Sequence, residues 1–290
     1  MSTERVVLSF QEDDRRRLGA LIYRGGLVLR SADKRFGGLS GLILSPDCTA
    51  FRAVSDHGFW FTGRLLYDAE RNLVGIADTY IEKMINEKGD QLRRKRQRDA
   101  ESLALTPGGD TVVSFEGNNA LRLYRRGEQL PRRLVAPLHK GDGPKNAGIE
   151  ALTALADGGL LAITEDFEGG RGAKAWIGGI DKPWRTAVFH IDGGFRPTGA
   201  ATLPDGDVVV LERRVLPPAA RLRRLRQEDI LRDAELLGDV WAHFDGALTY
   251  DNMEAIDACT TGGETRLLLA SDDNYNWFQR TLFMMFALPR

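Results

Sequence analysis

IEALTALADGGLLAITED, residues Ile149 to Asp166, sets two short apolar runs on either side of an Asp-Gly-Gly turn and finishes on two acids. Read alone it is a hairpin, because glycine tolerates the positive φ that a tight turn between strands demands. Four other stretches share this grammar: LSGLILSPDCTAFRAVSDHG from Leu39, AESLALTPGGDTVVSFEG from Ala100, PTGAATLPDGDVVVLER from Pro197 and MEAIDACTTGGETRLLLASDDN from Met253. With Ser40, Glu101, Glu150, Gly199 and Glu254 taken as equivalent, the steps are 61, 49, 49 and 55 residues. Further strand-like sequence follows the hairpins, as in NALRLYRR from Asn119 and RTAVFHI from Arg185. Four short strands per unit, repeated radially, predict an all-β fold: one β-propeller domain over residues 1–290 with about five blades, six being the alternative. The last unit has three evident strands, so RLGALIYRGGLVLRS near the N-terminus is expected to pair with it and close the ring. The main competing architecture is a β-sandwich.

Helical periodicity is weak. ARLRRLRQEDILRDAELL from Ala220 is read as a helical stretch, and YIEKMINEKGDQLRRKRQRD as a charged excursion. The RRKRQRD cluster lacks interleaved aromatics and is read as a solvated loop rather than a nucleic-acid contact. Forty basic against 41 acidic side chains give a formal charge of −1, so no global field draws the chain to nucleic acid or to an anionic membrane, and any charged partner must be met locally. No apolar run approaches the length that spans a bilayer, and no membrane insertion is expected. Cys48 and Cys259 form neither a disulfide framework nor a zinc pattern, and are read as small buried apolar residues. A monomer is expected. The first residues lack the basic and apolar regions of a secretory leader, which fits a cytoplasmic protein or a mature form.

The acids recur with the hairpins. Residues equally far before and after a hairpin turn lie side by side, which brings Glu101 to Glu116, Glu150 to Glu165, Glu254 to Asp272 and Ser40 to Asp56. If each first strand lines a central channel, these groups crowd one mouth of it, with Asp273, Asn274 and Asn146 as further oxygen donors. Crowded carboxylates raise one another's pKa and oppose folding. A hard cation such as Ca²⁺ would offset the repulsion, as would Arg213 and Arg280 or shared protons; the simplest alternative is that the acids only cap strand ends. The fourth unit differs, placing Arg213 after Glu212, which suits an anionic substrate or a plain Glu-Arg pair.

FGGLSGLILSPD (Phe36 to Asp47), DAESLALTPGGDTVVSFEG (Asp99 to Gly117), NAGIEALTALADGGLLAITED (Asn146 to Asp166), FRPTGAATLPDGDVVVLERR (Phe195 to Arg214) and the late SDDNYNWFQRTLFMMFAL run in order through nearly the whole chain. Together they resemble the phytase-like propeller family described by its esterase-like activity, found in bacterial periplasmic or secreted proteins. The resemblance implies a hydrolase of phosphate or carboxylic esters in such a setting. No serine-hydrolase elbow is present, since GLSGL has its second glycine one position early, and Ser31 to Lys34 is a chance Ser-x-x-Lys. That leaves metal-assisted hydrolysis, with Glu101, Glu150, Glu254, Asp272 and Asp273 as candidate ligands to Ca²⁺. Glu150, Arg213 and His57 are the candidate catalytic residues. Two other functions compete: a sugar-lactone hydrolase, and a binding module without chemistry, its aromatics Tyr275, Trp277 and Phe278 beside the mouth. Trp277 and Phe278 are expected to pack between blades.

Overall fold

The computed structural model describes residues 1–138, 148–165 and 172–289. Alternating apolar residues and Gly-rich turns produce five antiparallel sheets. Blade 1 runs through Leu39–Leu44, Ala50–Ser55, Phe59–Tyr67 and Leu73–Lys83, and blade 2 through Ala100–Leu105, Thr111–Phe115, Ala120–Tyr124 and Arg132–Leu134. Blade 3 comprises Ile149–Ala154, Leu160–Thr164, Gly172–Gly179 and Lys182–His190, with the short Glu235–Leu236 added in parallel at its edge. Blade 4 comprises Arg196–Thr202, Val208–Arg214, Ala219–Leu225 and Asp239–Phe244. Blade 5 begins with Asn252–Thr261, Glu264–Asp272 and Thr281–Ala287, and takes its fourth strand, Leu21–Arg30, from the N-terminus. That strand pairs Leu27 with Phe283 and Val28 with Leu282, which closes the ring as expected and settles the count at five blades. The five first strands contact one another in succession around the centre.

A separate apolar cluster fills each gap between neighbouring blades. Met253, Ile256, Leu269 and Leu282 of blade 5 meet Val209, Leu211 and Leu222 of blade 4, and the other gaps are filled alike. Burying each such side chain contributes roughly 1.5–3 kcal/mol, so the ring is held by faces rather than by its hydrogen-bonded edges.

Three expectations are corrected. The Ala220 stretch is not one helix: Ala219–Leu225 is a strand, and only Gln227–Arg232 is helical. Its strand pattern is disguised because Arg221 and Arg223 are buried, both bound to Glu212, which is 0% exposed. Arg221 Nε sits 2.8 Å and Arg223 Nε 3.0 Å from Glu212 Oε2, and Arg223 also reaches Asp192 at 3.0 Å. Glu212 is therefore no part of the channel mouth. Removing one member of a buried ion cluster leaves the others uncompensated, so Glu212→Ala should cost about 3–5 kcal/mol in thermal unfolding. Glu212→Gln, which keeps an acceptor, should fall between, and a loss below about 1 kcal/mol would refute the assignment.

The cysteines are not free. Cys48 and Cys259 form a disulfide that ties the first hairpin turn of blade 1 to the first strand of blade 5. At this turn position blades 2 to 4 carry Gly109, Gly158 and Gly206, all at positive φ, and Cys48 adopts the same left-handed conformation at φ 63°.

Candidate functional site

Each first strand carries the same irregularity. The ladder slips by one residue between Leu39 and Gly41, Ala100 and Ser102, Ile149 and Ala151, Pro197 and Gly199, and Met253 and Ala255. A bulge re-aims the extra side chain. The five bulged residues, Ser40, Glu101, Glu150, Thr198 and Glu254, all line one cavity of about 240 Å³ at the ring's centre. The fourth equivalent is thus Thr198 rather than Gly199. Its hydroxyl donates to the Met253 carbonyl at 2.9 Å, and the Ser40 hydroxyl donates likewise to the Ala100 carbonyl.

A second tier comes from the strand behind. Ser55, Phe115, Thr164, Glu212 and Ser271 are the last residues paired with the first strands before each bulge. The residues that follow them, Asp56, Glu116, Glu165, Arg213 and Asp272, point to the opposite side and line the same cavity. Lys95, Asp99 and Asn274 complete the lining.

Two tiers of five therefore carry seven carboxylates, two hydroxyls and one guanidinium. Arg213 lies 3.0 Å from Glu254 Oε1 and 3.6 Å from Glu165 Oε1, and donates to the side-chain oxygen of Asn252. Asn252 in turn donates to Glu254 at 2.9 Å. On the other side, oxygens of Asp99, Glu101 and Glu116 lie within 4.8 Å of one another. The cup has an arginine half and a carboxylate-rich half, at whose edge Lys95 reaches Asp99 at 3.9 Å.

A family profile described as "Phytase-like: Esterase-like activity of phytase" matches residues 34–275. The chain belongs to this family. Among curated proteins, no sequence matches it. A Dyadobacter fermentans protein of unknown function superposes with TM-score 0.53 at 13% identity, covering 99% of this chain and 90% of that one. A provisionally assigned gluconolactonase (TM-score 0.48, 11% identity, 91% and 94% covered) and a luciferin-regenerating enzyme (TM-score 0.46, 12% identity, 97% and 95% covered) are also similar. At 13% identity the likeness to the Dyadobacter fermentans protein shows the fold alone.

In this phytase-like propeller, burial first and crowding second raise the ring's carboxyl groups. Burial raises Asp56 to about 7, with Asp272 and Asp99 adding repulsion. Burial and neighbouring Asp99 raise Glu116 to about 7. Burial carries Glu254 to about 8 although Arg213 opposes it, and Asp272 to about 6 against the Asn274 N–H it accepts. Glu101 and Glu150 are pushed well above the carboxylate range by burial, then chiefly by Glu150 and Glu165 respectively.

Whether a cation fits can be judged from the donors. All the candidate ligands are oxygens, with no thiol or imidazole among the lining residues, which suits a hard ion. Asp56 Oδ1 is buried without a hydrogen-bond partner, the condition a ligand would relieve. The residues fit.

Other expected site residues lie elsewhere. Asp273 is outside the cavity lining: its carboxylate accepts from the Gly38 and Tyr275 N–H groups at 3.1 Å and from the Thr281 hydroxyl at 3.0 Å, pinning the loop after Asp272 to the entry of blade 1. His57 also lies off the lining, stacked on Tyr275 with ring centroids 4.2 Å apart, its pKa lowered by burial and by Arg98. Arg280 pairs with Asp251 at 3.2 Å. Asn146 lies outside the described residues. Trp277 and Phe278 do not pack between blades; they are 95% and 65% exposed. Asp99 and Lys95 were not singled out from sequence. Asp99 had a signal, since it immediately precedes the first strand of blade 2 and its carbonyl accepts from the Glu116 N–H at 2.9 Å.

Proposed function

We propose that this chain is a metal-assisted hydrolase of phosphate or carboxylic esters, working at the central cup. The observation that carries the reading is the polarity of that cup: a carboxylate cluster, with Lys95 at its edge 3.9 Å from Asp99, in the same small cavity as Arg213. Family membership supports the reaction class.

Asp99, Glu101 and Glu116 would hold the cation, Ca²⁺ being the fitting choice among hard ions. When bound, such an ion polarises an ester oxygen and offsets the carboxylates' repulsion. Arg213 and Lys95 are the cations in the lining, and they orient an anionic ester. Glu150, left outside the Asp99–Glu101–Glu116 set, would give up its firmly held proton once a bound cation offsets the ring's repulsion; it then accepts the proton of the attacking water, and that proton passes to the departing alkoxide. A lactone is a cyclic carboxylic ester, so the same chemistry extends to it.

Turnover of nitrophenyl phosphate, nitrophenyl acetate and a sugar lactone should be measured with Ca²⁺ and with chelator. Removing a general base should lower kcat by about a hundredfold or more, so Glu150→Gln should lose turnover while retaining the fold. Full activity of Glu150→Gln on every ester would sink the assignment. Ca²⁺ binding without turnover of any ester would identify a binding module instead.

The Cys48–Cys259 bond supports a periplasmic or secreted setting, because disulfides persist in oxidising compartments. There, millimolar Ca²⁺ fills even weak sites.

A further inference from the structure

The rim of the cup carries two features that its chemistry does not use. One is Arg93, Arg94 and Arg96, three exposed arginines around Lys95. Lys95 reaches Asp99 at 3.9 Å, whereas Arg93, Arg94 and Arg96 have no ion-pair partner among the described residues. The other is the exposed pair Trp277 and Phe278, set edge to face with centroids 5.9 Å apart.

Both features belong to one stretch of rim. Asp272 and Asn274 line the cavity, and the chain then passes through Tyr275, stacked on His57, to reach Trp277. On the other side of His57, Gly58 lies so close to Arg98 that an added Cβ would come 2.8 Å from the arginine's own. The arginine run ends two residues before Arg98, with Arg96 against Gly117 just past the second strand of blade 2, and the aromatic pair begins two residues after Tyr275, so His57 and Gly58 stand between the two. The aromatic loop is held in place: the Asn276 N–H donates to the Asp273 carbonyl at 2.7 Å, and the Asn276 side chain donates to Gln279 at 3.0 Å. Two large apolar side chains are thus fixed outward into water, at an unfavourable hydration free energy that only a partner recovers.

We propose that this rim docks the propeller on an anionic lipid bilayer, with Trp277 and Phe278 entering the headgroup region and Arg93, Arg94 and Arg96 meeting anionic headgroups. Exposed tryptophan beside unpaired arginines is the composition that binds such an interface. A nucleic acid fits less well. Trp277 and Phe278 stand edge to face, not as the parallel platforms on which successive bases stack.

The test is co-sedimentation of the full chain, in chelator, with vesicles of phosphatidylcholine alone or mixed equally with phosphatidylglycerol. Chelation separates this result from the hydrolase reading, which can fail independently. The protein should sediment with the mixed vesicles and be released by salt. Trp277→Ala with Phe278→Ala should weaken partitioning at least about tenfold, and alanine at all three arginines about a hundredfold. Tryptophan emission should shift to the blue on adding mixed vesicles to the parent protein and not to the Trp277→Ala variant. No sedimentation with mixed vesicles, or sedimentation unchanged in both variants, overturns the proposal. So does single-stranded DNA binding that needs the aromatic pair while vesicle binding does not.

Discussion

Metal-stripped protein should lose stability as the pH is raised from about 5 to 8, and Ca²⁺ should restore it. The sign follows from which state holds more protons. Asp56, Glu116, Glu254 and Asp272 have folded pKa values raised to about 7, 7, 8 and 6 by burial in the cup, against ordinary values near 4 in the unfolded chain. Between those limits the folded state binds more protons, so unfolding becomes easier with each step up in pH, and the loss is complete above the folded values. Glu254 alone accounts for on the order of 3 kcal/mol after allowance for solvent relaxation. The groups are coupled, so their losses do not simply add. A fall in melting temperature of roughly 10 °C across the window is expected for a chain of this size. Carboxylates with lowered values, such as Glu87 beside Arg122 and Glu264 beside Arg24 and Arg266, act oppositely and titrate at lower pH. At a hundred times its dissociation constant, Ca²⁺ should return about 2.7 kcal/mol. Glu101→Gln, which removes one titrating carboxyl from the cup, should flatten the loss of stability with rising pH and blunt the Ca²⁺ response. A melting temperature that rises through this window, or a Ca²⁺ shift undiminished in Glu101→Gln, would contradict the cup as a cation site.

The blade count and the acid ring were legible because both are periodic. Asp-Gly and Gly-Gly turns recur at blade-sized intervals, and Asp56, Glu101, Glu116, Glu150, Glu165, Glu254 and Asp272 stand to either side of the hairpin turns, Glu101 and Glu150 each eight residues before Gly109 and Gly158. All seven line the cavity. What strict hairpin pairing could not show is the bulge. A ladder without it puts Gly199 in the ring and leaves Glu212 against Arg213 as an ambiguous pair. The extra residue puts Thr198 and Arg213 in the cup and turns Glu212 to the buried side, against Arg221 and Arg223. Asp273 looked equivalent to its neighbour because composition does not reveal that three donors already occupy its carboxylate. Lys95 comes from an excursion whose return to the rim depends on tertiary packing, not on period.

Removing the disulfide should be the most damaging single change to the scaffold. Its cysteines are 211 residues apart in sequence, which is why no local pattern announced them. Cross-linking so long a loop restricts the unfolded chain by about 5 kcal/mol in the chain-entropy description. The bond also lies in the apolar layer between blades 5 and 1, with Cys48 0% exposed. That is the seam where the N-terminal strand completes the ring, so the disulfide and the strand pairing restrain the same opening. Cys48→Ala with Cys259→Ala should therefore lower the melting temperature by about 10 °C or more. Reduction of the parent protein should reproduce that shift once the buried bond is reached. The double variant should also show faster hydrogen exchange along Leu21–Arg30 and Thr281–Ala287 than in blades 2 to 4, because the seam opens first when its clasp is gone. Unchanged melting in the double variant, or exchange increased uniformly over all five blades, would show that strand pairing alone holds the ring closed.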